Sequence, residues 1–188
     1  MSNRNAAFGF SSFLTDLDRE HGVGIVITNG NLYRNVTEPV NTALALTAAE
    51  AAHRHSLTYG IIFGMRYCRD PHGIQQADNL LWFIGQVNHG GPWDIKRPNS
   101  WNDTIGSTFP GSFDTPIYFR GYRKTPESLG NWTYGYIGAA MGFTLLELIG
   151  GSWFADGFSL PFGLRGDWEN ERGDWSYIQR GFNARRGR

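Results

Sequence analysis

The sequence predicts a mainly α-helical fold of the α+β class, as a single domain over residues 1–188 with a small N-terminal β-hairpin and two long loops. Three observations support this class. The 188 residues are enough to bury one hydrophobic core. Strong helix formers and helical spacing of apolar residues dominate the chain after residue 40, whereas clear strand-like alternation is found mainly before it. No internal repeat and no flexible linker divides the chain, so we expect no second domain.

The hairpin and the first long helix lie in the N-terminal third. "VGIVITNGNLYRNVT", residues 23–37, alternates around Asn29-Gly30, the pair best suited to a two-residue hairpin turn. Thr47 and Glu50 have the spacing of a capping box, and strong helix formers follow them. We therefore predict a helix from about residue 48 to residue 68.

A second helix and the first long loop follow. "GIQQADNLLWFIGQV" has apolar residues at helical spacing, and Asn88 to Pro92 would end the helix. The residues predicted to face the core are Ala77, Leu80, Leu81, Ile84 and Val87. Residues 97–116 are rich in Pro, Asn, Ser, Gly and Asp, which predicts a long loop, and loops of this length are usually functional. "PIYFRGY" is interpreted as a short strand.

A glycine-rich helix is predicted next. Thr125-Pro126-Glu127 combines an N-cap residue, a proline at the first helical position and an acid in the first turn. Three glycines would lie on one side of this helix and let another backbone come close: Gly135, Gly138 and Gly142.

The C-terminal segment predicts two more helices around the second long loop. Thr144 and Glu147 repeat the capping-box spacing and would open the helix "LLELIGGSWF". Residues 156–174 are irregular in composition. Asp174 would then cap the last helix, "WSYIQRGFNARR".

Charge and composition limit the classes of function. Seventeen basic and seventeen acidic residues balance, which argues against a protein that binds nucleic acid through a strongly basic surface. The basic residues do cluster at the end of the chain, at Arg180, Arg185, Arg186 and Arg188. No apolar run is long enough to span a bilayer, and the first residues lack the pattern of a signal peptide. The single cysteine, Cys68, allows no internal disulfide and is interpreted as a core residue.

The first candidate site is "NHGGPWDIK", residues 88–96. Its glycines and proline set a turn from which Trp93, Asp94 and Lys96 emerge. Asp94 beside Lys96 could position a base, a substrate oxygen or a cation, and Trp93 could stack on a substrate. The alternative is a capped turn with a buried tryptophan anchor and a surface ion pair. His89 is the histidine nearest this site and could act as a general base.

The second candidate site is "TPESLGNWTYGYIGAAMGF", residues 125–143. Glu127, Asn131, Tyr134 and Tyr136 are polar groups beside a glycine face that leaves room for an extended ligand. A lone carboxylate among aromatic residues can serve as a general acid. The alternative is that Glu127 only complements the helix dipole.

The third candidate is "RGDWENERGDW", residues 165–175, whose acids could hold a divalent cation. These acids are Asp167, Glu169, Glu171 and Asp174. Their spacing fits no calcium-loop template, so a solvated acidic loop is the favoured interpretation. His53 and His55 are two apart on a helix and cannot share a metal as an i, i+4 pair would. We therefore predict no metal site and no cofactor.

Taken in order, these stretches resemble the polymorphic toxin type 44 domain, the bacterial toxin 44 family. "WFIGQVNHGGPWDIK", "ESLGNWTYGYIGAAMGF", "LIGG" and "GDWENERGDWSYIQRGF" carry the resemblance, which covers about residues 78–183. The family-like positions are Gly91, Pro92, Trp93, Asp94, Lys96, Gly130, Asn131, Tyr134, Gly135, Asp167 and Asp174. The chain departs from the family pattern at Trp168 and the acidic run after it, where a compact GD-x-P-x-D arrangement is expected.

The resemblance implies a toxin module of a bacterial competition system. Such a module is carried by a larger secreted protein, delivered into a competitor cell and neutralised by a cognate immunity protein. That route would explain the absence of a signal-peptide pattern.

Three functions are compatible with these residues. The favoured hypothesis is a lysozyme-like hydrolase of peptidoglycan glycan strands in the target periplasm, because neutral charge, aromatic residues and a solitary glutamate suit a sugar polymer. Glu127 would protonate the leaving oxygen and Asp94 would stabilise the developing positive charge or orient water. The substrate contacts would be Lys96, Trp93, Asn131, Tyr134, Tyr136 and Asp167.

The second hypothesis is a ribonuclease toxin acting in the target cytosol. His89 would be the base, Lys96 would stabilise the charge on the phosphorane, and the C-terminal arginines would hold the backbone. The third is a module without enzymatic activity that binds a wall or envelope component, in which "GPWDIK" and "GNWTYG" are packing motifs.

Overall fold

The computed structural model describes residues 13–64, 71–155 and 168–187, and the side chains within 13–57, 78–152 and 175–187. In these ranges the chain forms seven helices and a four-stranded sheet, which confirms the mainly α fold with α+β character. In chain order the elements are α1 (Asp16–Glu20), β1 (Gly24–Thr28), β2 (Asn31–Asn35), α2 (Thr37–Gly64), α3 (Pro71–Val87), α4 (Pro98–Ile105), β3 (Ile117–Phe119), β4 (Tyr122–Lys124), α5 (Pro126–Ala140), α6 (Leu145–Ala155) and α7 (Trp168–Arg185).

The sheet contains the predicted hairpin and a second one. Strands β1 and β2 pair antiparallel, and Asn29 and Gly30 occupy the turn with φ angles of 50° and 75°. This confirms the hairpin, since both central residues of such a turn need positive φ. "PIYFRGY" forms β3 and β4 around a similar turn, in which Arg120 and Gly121 have φ angles of 51° and 81°. Strands β2 and β3 pair in parallel, giving the order β1-β2-β3-β4.

Helix α2 begins about ten residues earlier than predicted. The Asn35 side-chain oxygen accepts hydrogen bonds from both the backbone and the hydroxyl of Thr37, and this stabilises the start of the helix. Thr47 therefore lies inside the helix, where its hydroxyl donates to the Ala43 carbonyl at 3.3 Å. The capping box predicted at Thr47 was wrong, because Glu38 and Pro39 already supply first-turn residues upstream.

The buried face of helix α3 differs from the predicted one at three of its five positions. Leu80, Leu81 and Ile84 are 46%, 67% and 41% exposed, whereas Asn79 and Phe83 are buried. Val87 packs against the core as predicted, and the Ala77 side chain lies outside the described residues. The ring centroids of Phe83 lie 5.2 Å from Tyr134 and 5.1 Å from Phe143. The spacing of the leucines therefore predicted the wrong face. The aromatic side chains lie on a neighbouring face of α3, and their larger apolar surface packs on the core.

Two segments that composition predicted to be irregular contain helical residues in the structure. Residues 98–105 form helix α4 instead of the start of a long loop, with Pro98 in its first turn and Gly106 (φ 72°) ending it. Trp101 and Ile105 from α4 are buried in the core, which provides the stabilisation that composition could not indicate. At the C terminus, α7 already begins at Trp168, so Asp174 lies within the helix and the predicted N-cap there was wrong.

The boundaries of α5 and α6 follow the capping residues. Thr125 caps α5 by accepting from the Ser128 amide at 3.1 Å, and Thr144 and Glu147 form the reciprocal bonds of a capping box before α6. Both starts were predicted. Gly142 is a correction, because it lies beyond the end of α5 with φ 84° and forms a Schellman turn in which the Phe143 amide donates to the Gly138 carbonyl.

Helix α5 is central to the core and packs most extensively against α7. Gly135 faces the Ile178 backbone, and Gly181 of α7 faces the Trp132 carbonyl, with no room for a side chain at either glycine. The prediction that glycines let a second backbone approach this helix is therefore confirmed at Gly135. This packing places the α3–α4 turn on one side of α5 and the β3–β4 hairpin with α7 on the other.

Candidate functional site

The first candidate segment forms a turn wrapped against the end of α3. The Gly91 amide donates to the Asn88 carbonyl and the Trp93 amide donates to the Gln86 carbonyl, each at 2.8 Å. A side chain at Gly91 would lie only 2.5 Å from the Gly85 carbonyl oxygen, so glycine is required for this close approach. The turn therefore leads the chain back along α3 before α4 begins.

Asp94 is held by groups of its own turn. Its Oδ2 accepts from the Gly90 amide at 3.0 Å and lies 3.7 Å from Arg97 Nε, and its side chain is only 10% exposed. Arg97 Nη2 in turn lies 3.0 Å from His89 Nε2. The turn therefore carries a continuous polar row from Asp94 through Arg97 to His89, ending at an exposed imidazole.

Trp93 is an anchor in this conformation. It is 3% exposed, and its Nε1 donates to the Thr47 hydroxyl at 2.9 Å. A substrate would need an open ring face for stacking, so this geometry agrees with the buried-anchor alternative. A substrate contact by Trp93 stays a prediction that requires the turn to move.

Lys96 brings the two family-like blocks together. Its Cγ and Cε lie 3.4 Å and 3.5 Å from the position that a side chain at Gly130 would occupy. Ile95 Cγ1 lies 3.8 Å from the same position. The GGPWDIK segment therefore packs directly on the GNWTYG segment of α5, and Gly130 leaves the room for it.

The polar residues of α5 divide between two faces. Glu127, Asn131 and Tyr134 are spaced four and three apart and share one face, on which Glu127 and Asn131 are partly exposed. The Tyr134 hydroxyl donates to the Leu148 carbonyl at 2.9 Å. Tyr136 lies on another face and stacks on Trp132 at 5.2 Å, so it does not join the other three.

Asp167, the remaining predicted contact, lies outside the described residues. Glu127 is placed at the start of α5 as its N-cap predicts, with its backbone amide donating to the Phe113 carbonyl at 3.2 Å. A first-turn acid complements the helix dipole, and this geometry is compatible with that role as well as with a catalytic one.

A cleft of about 630 Å³ lies between the GGPW turn and α4. Its lining includes His89, Gly91, Arg97, Ser100 and Asp103. Only His89 among the predicted catalytic residues reaches it. Sequence reasoning missed Arg97, Ser100 and Asp103 because residues 97–116 were interpreted as loop; Pro98 just after Arg97 was the available signal of a helix start.

Lys124 is a second residue that sequence reasoning missed. It is 7% exposed at the end of β4, and its Nζ lies 4.2 Å from the centre of the Tyr177 ring. Burial, and then the neighbouring charge of Arg180, lower the pKa of Lys124 from 10.5 to about 8. No spacing rule connects Lys124 with Tyr177, because the contact depends on how α7 packs.

The family of this chain follows from comparison with known proteins. A profile of Bacterial toxin 44 matches residues 82–186, more than half of the chain and the part that contains both blocks and the cleft. The chain therefore belongs to the bacterial toxin 44 family, which confirms the resemblance. No curated protein and no solved structure matches it.

Family membership defines the general class of function. This is a bacterial toxin domain, for which a cognate immunity protein is the expected partner and a target cell the expected destination. In the described parts of the chain, no helix combines the length and apolar character needed to cross a bilayer. Within the same ranges, no three His, Cys, Asp or Glu side chains gather as they would around a metal ion.

Proposed function

We propose that this toxin domain cleaves RNA in the cytosol of the target cell, with the cleft beside the GGPW turn as its active site. The observation that carries the proposal is the pairing of His89 with Arg97, 3.0 Å apart, at the wall of that cleft. An imidazole next to a guanidinium supplies a proton acceptor and a fixed positive charge, which phosphodiester cleavage requires.

The reaction assigns one role to each group. As the substrate phosphate draws the Arg97 guanidinium away from His89 Nε2, that nitrogen removes the proton from a ribose 2′-hydroxyl, whose oxygen attacks the adjacent phosphorus. The phosphorus–5′-oxygen bond then breaks, leaving a 2′,3′-cyclic phosphate, and the leaving oxygen takes up a proton from water. Arg97 stabilises the negative charge that develops on the phosphorane oxygens. In this scheme Arg97 replaces Lys96, because the Lys96 side chain lies against α5 and Arg97 lines the cleft.

Asp94 has a positioning role in the same scheme. Its carboxylate is buried behind Arg97 and tied to the Gly90 amide, so it orients the guanidinium from the protein side. Asp94, Arg97 and His89 thus form one row directed at the cleft. The Asp94 carboxylate is the buried end of this row. Ser100 and Asp103, from α4, face the same space and would contact the substrate.

Glycan-strand hydrolysis is the second candidate. It is favoured by the packing of Lys96 on Gly130, which sets the segment with Asp94 beside the helix that carries Glu127 and Asn131. In that scheme Glu127 protonates the leaving oxygen and Asp94 stabilises charge or orients water. We rank it second because Asp94 is nearly buried, the Tyr134 hydroxyl already bonds the Leu148 carbonyl, and Tyr136 lies on another face of α5.

Expression in bacteria with and without a periplasmic export signal tests both candidates. We expect the cytosolic form to arrest growth with fragmented total RNA, and the exported form to be harmless. His89→Ala should remove toxicity, whereas Glu127→Gln and the control His53→Ala, at an exposed histidine of α2, should retain it. The readouts are growth and total RNA on a denaturing gel.

Other outcomes would contradict the ribonuclease. Three results together would establish the glycan hydrolase instead. These are lysis that requires export, release of soluble muropeptides from sacculi, and loss of both in Glu127→Gln. Unchanged toxicity of both His89→Ala and Glu127→Gln would contradict both catalytic assignments. It would favour the third hypothesis, a binding module without enzymatic activity.

A further inference from the structure

A group of cations and aromatic rings lies where the β3–β4 hairpin, α5 and α7 meet, away from the cleft. We name it the cationic aromatic surface and define it by Arg120, Lys124, Tyr136, Tyr177, Arg180 and Arg185. Arg120 and Arg185 both lie over the Tyr136 ring, at 5.9 Å and 6.0 Å from its centre. Lys124 and Arg180 both lie over the Tyr177 ring, at 4.2 Å and 5.7 Å.

The two halves of this surface are joined through the fold. Phe119 and Lys124 point to the same side of the β3–β4 hairpin, since Ile117 pairs with Lys124 and Phe119 lies two residues further along β3. Phe119 packs edge-on against Trp132, at 5.0 Å, and Trp132 stacks on Tyr136. The hairpin and α7 thus form two walls, and the aromatic face of α5 lies between them.

Arg120 is held in place before any ligand arrives. Its Nε and Nη2 donate to Asn41 Oδ1 at 3.0 Å and 2.7 Å, and its guanidinium lies within 5.2 Å of the Phe119 and Trp132 ring centres. Two of its five N–H donors are therefore used, and three remain to bind a ligand. The positive φ of Arg120, 51°, belongs to the β3–β4 turn, which fixes where its side chain leaves the hairpin.

The cations of this surface form no ion pair with a carboxylate among the side chains that the structure describes. Among the side chains that the structure describes, ion pairs with carboxylates involve Arg19, Arg34, Arg54 and Arg97, and none involves Arg120, Lys124, Arg180 or Arg185. A chain with zero formal net charge thus carries four cations together within one surface. This arrangement is typical of sites for a polyanion, and rings beside the cations are typical of sites for single-stranded nucleic acid.

We propose that the cationic aromatic surface binds single-stranded RNA, with the arginines on backbone phosphates and Tyr136 and Tyr177 beside the bases. The proposal rests on the proposed ribonuclease function and adds to it a substrate-binding surface separate from the cleft. Single-stranded RNA suits the surface better than a duplex because unpaired bases can stack on the guanidinium planes that lie over these rings.

The test uses a fluorescein-labelled 20-nucleotide single-stranded RNA with 2′-O-methyl groups, which cannot be cleaved by attack of a 2′-hydroxyl. Fluorescence anisotropy measures its dissociation constant from the full chain at several salt concentrations. Arg180→Ala/Arg185→Ala should weaken binding about tenfold or more, and should lower the slope of log K against log salt by about 1.4, for two lost phosphate contacts. Arg19→Ala removes a cation already paired with Asp16 and should bind like wild type.

Several outcomes would overturn the proposal. These are an unchanged dissociation constant in the double variant, an equal loss in Arg19→Ala, or no binding by wild type. The surface would be a protein interface instead if the wild type binds the immunity protein but not RNA, and the double variant no longer binds the immunity protein. Because the probe cannot be cleaved, RNA binding without ribonuclease activity would leave this proposal standing while the proposed function failed.

Discussion

Asp94 has its two partners, the Gly90 amide and the Arg97 guanidinium, within four residues of it in the chain. Such local partners are typical of a turn-capping aspartate, and the sequence left this role and a catalytic role open. The geometry gives the carboxylate a local role and leaves Arg97 and His89 at the cleft. Under the proposed function, the residues that contact RNA are therefore Arg97 and His89, one or two steps further along this row than Asp94.

Lys124 predicts a measurable dependence of stability on pH. Its pKa is about 8 in the folded protein and 10.5 for an ordinary lysine, so between these pH values the unfolded chain binds a proton that the folded chain does not. The free energy of unfolding should therefore rise with pH across this window, and below pH 8 the burial of the charge is a constant penalty.

Lys124→Met should remove that penalty and raise the free energy of unfolding at pH 7 by about 1–3 kcal/mol. The difference from wild type should shrink between about pH 8 and pH 10.5. Urea unfolding at a series of pH values measures it, and Arg186→Met, at an exposed cation just after α7, is the control. Equal stability of variant and wild type at pH 7 would contradict a charged, buried Lys124.

At the scale of elements, the contact between α5 and α7 depends on two glycines. Gly135 and Gly181 each face the backbone of the other helix, so the helices approach more closely than side chains would permit. Glycine within a helix is unfavourable by itself, and here the close packing of the core compensates for it. The small-residue pattern was visible in the sequence of α5, but its partner helix was not.

Gly181→Ala should destabilise the protein by about 1–3 kcal/mol, because the added methyl group would overlap the Trp132 carbonyl and force the helices apart. Gly150→Ala in α6 is the matched control, since nothing lies within 4 Å of its added methyl group. That variant should be as stable as wild type or gain up to about 1 kcal/mol from helix propensity. Thermal and urea unfolding measure both, and a stable Gly181→Ala would contradict the close contact.

Element boundaries were predictable where the signal is local. Asn29-Gly30, Thr125 and the pair Thr144 and Glu147 act through bonds to residues at most three positions away, and each prediction was confirmed. The start of α2 was missed although its signal is local, since Asn35 accepts both hydrogen bonds from Thr37. The existence of α4 was missed because burial of side chains such as Trp101 stabilises it. The buried face of α3 was wrong for the same reason, since several faces of that helix carry apolar residues.

At the scale of the whole molecule, Asp18 ties the N-terminal part of the chain to the loop after α4. It is fully buried, its Oδ1 accepts from the Thr108 amide at 2.9 Å, and its Oδ2 lies 3.5 Å from Arg34 Nη2. Arg34 also donates to the Thr108 carbonyl at 2.9 Å. Three distant segments therefore meet at one buried charge, and this cluster joins Asp18 and Arg34, outside the part of the chain that matches the toxin family, to Thr108 within it.

Asp18→Ala should lower the free energy of unfolding by about 3–5 kcal/mol, because it leaves the partly buried Arg34 and the Thr108 amide without their shared acceptor. Asp16→Ala, two residues away and fully exposed, should not change the stability measurably. Denaturant unfolding compares the two variants. Equal stabilities would show that this cluster does not hold the N-terminal segment to the toxin-like part.

The sequence by itself determined the fold class, the hairpin turn, the capped starts of α5 and α6 and the toxin family, because turn and cap bonds act within a few residues. Only the tertiary structure decided which face of α3 is buried, which groups line the cleft, and that Arg120 and Lys124 join Arg180 and Arg185 on one surface. Those arrangements depend on hydrophobic burial and charge interactions between segments that are far apart in the chain. These interactions contribute to stability only once the segments have packed together, as α5 and α7 do.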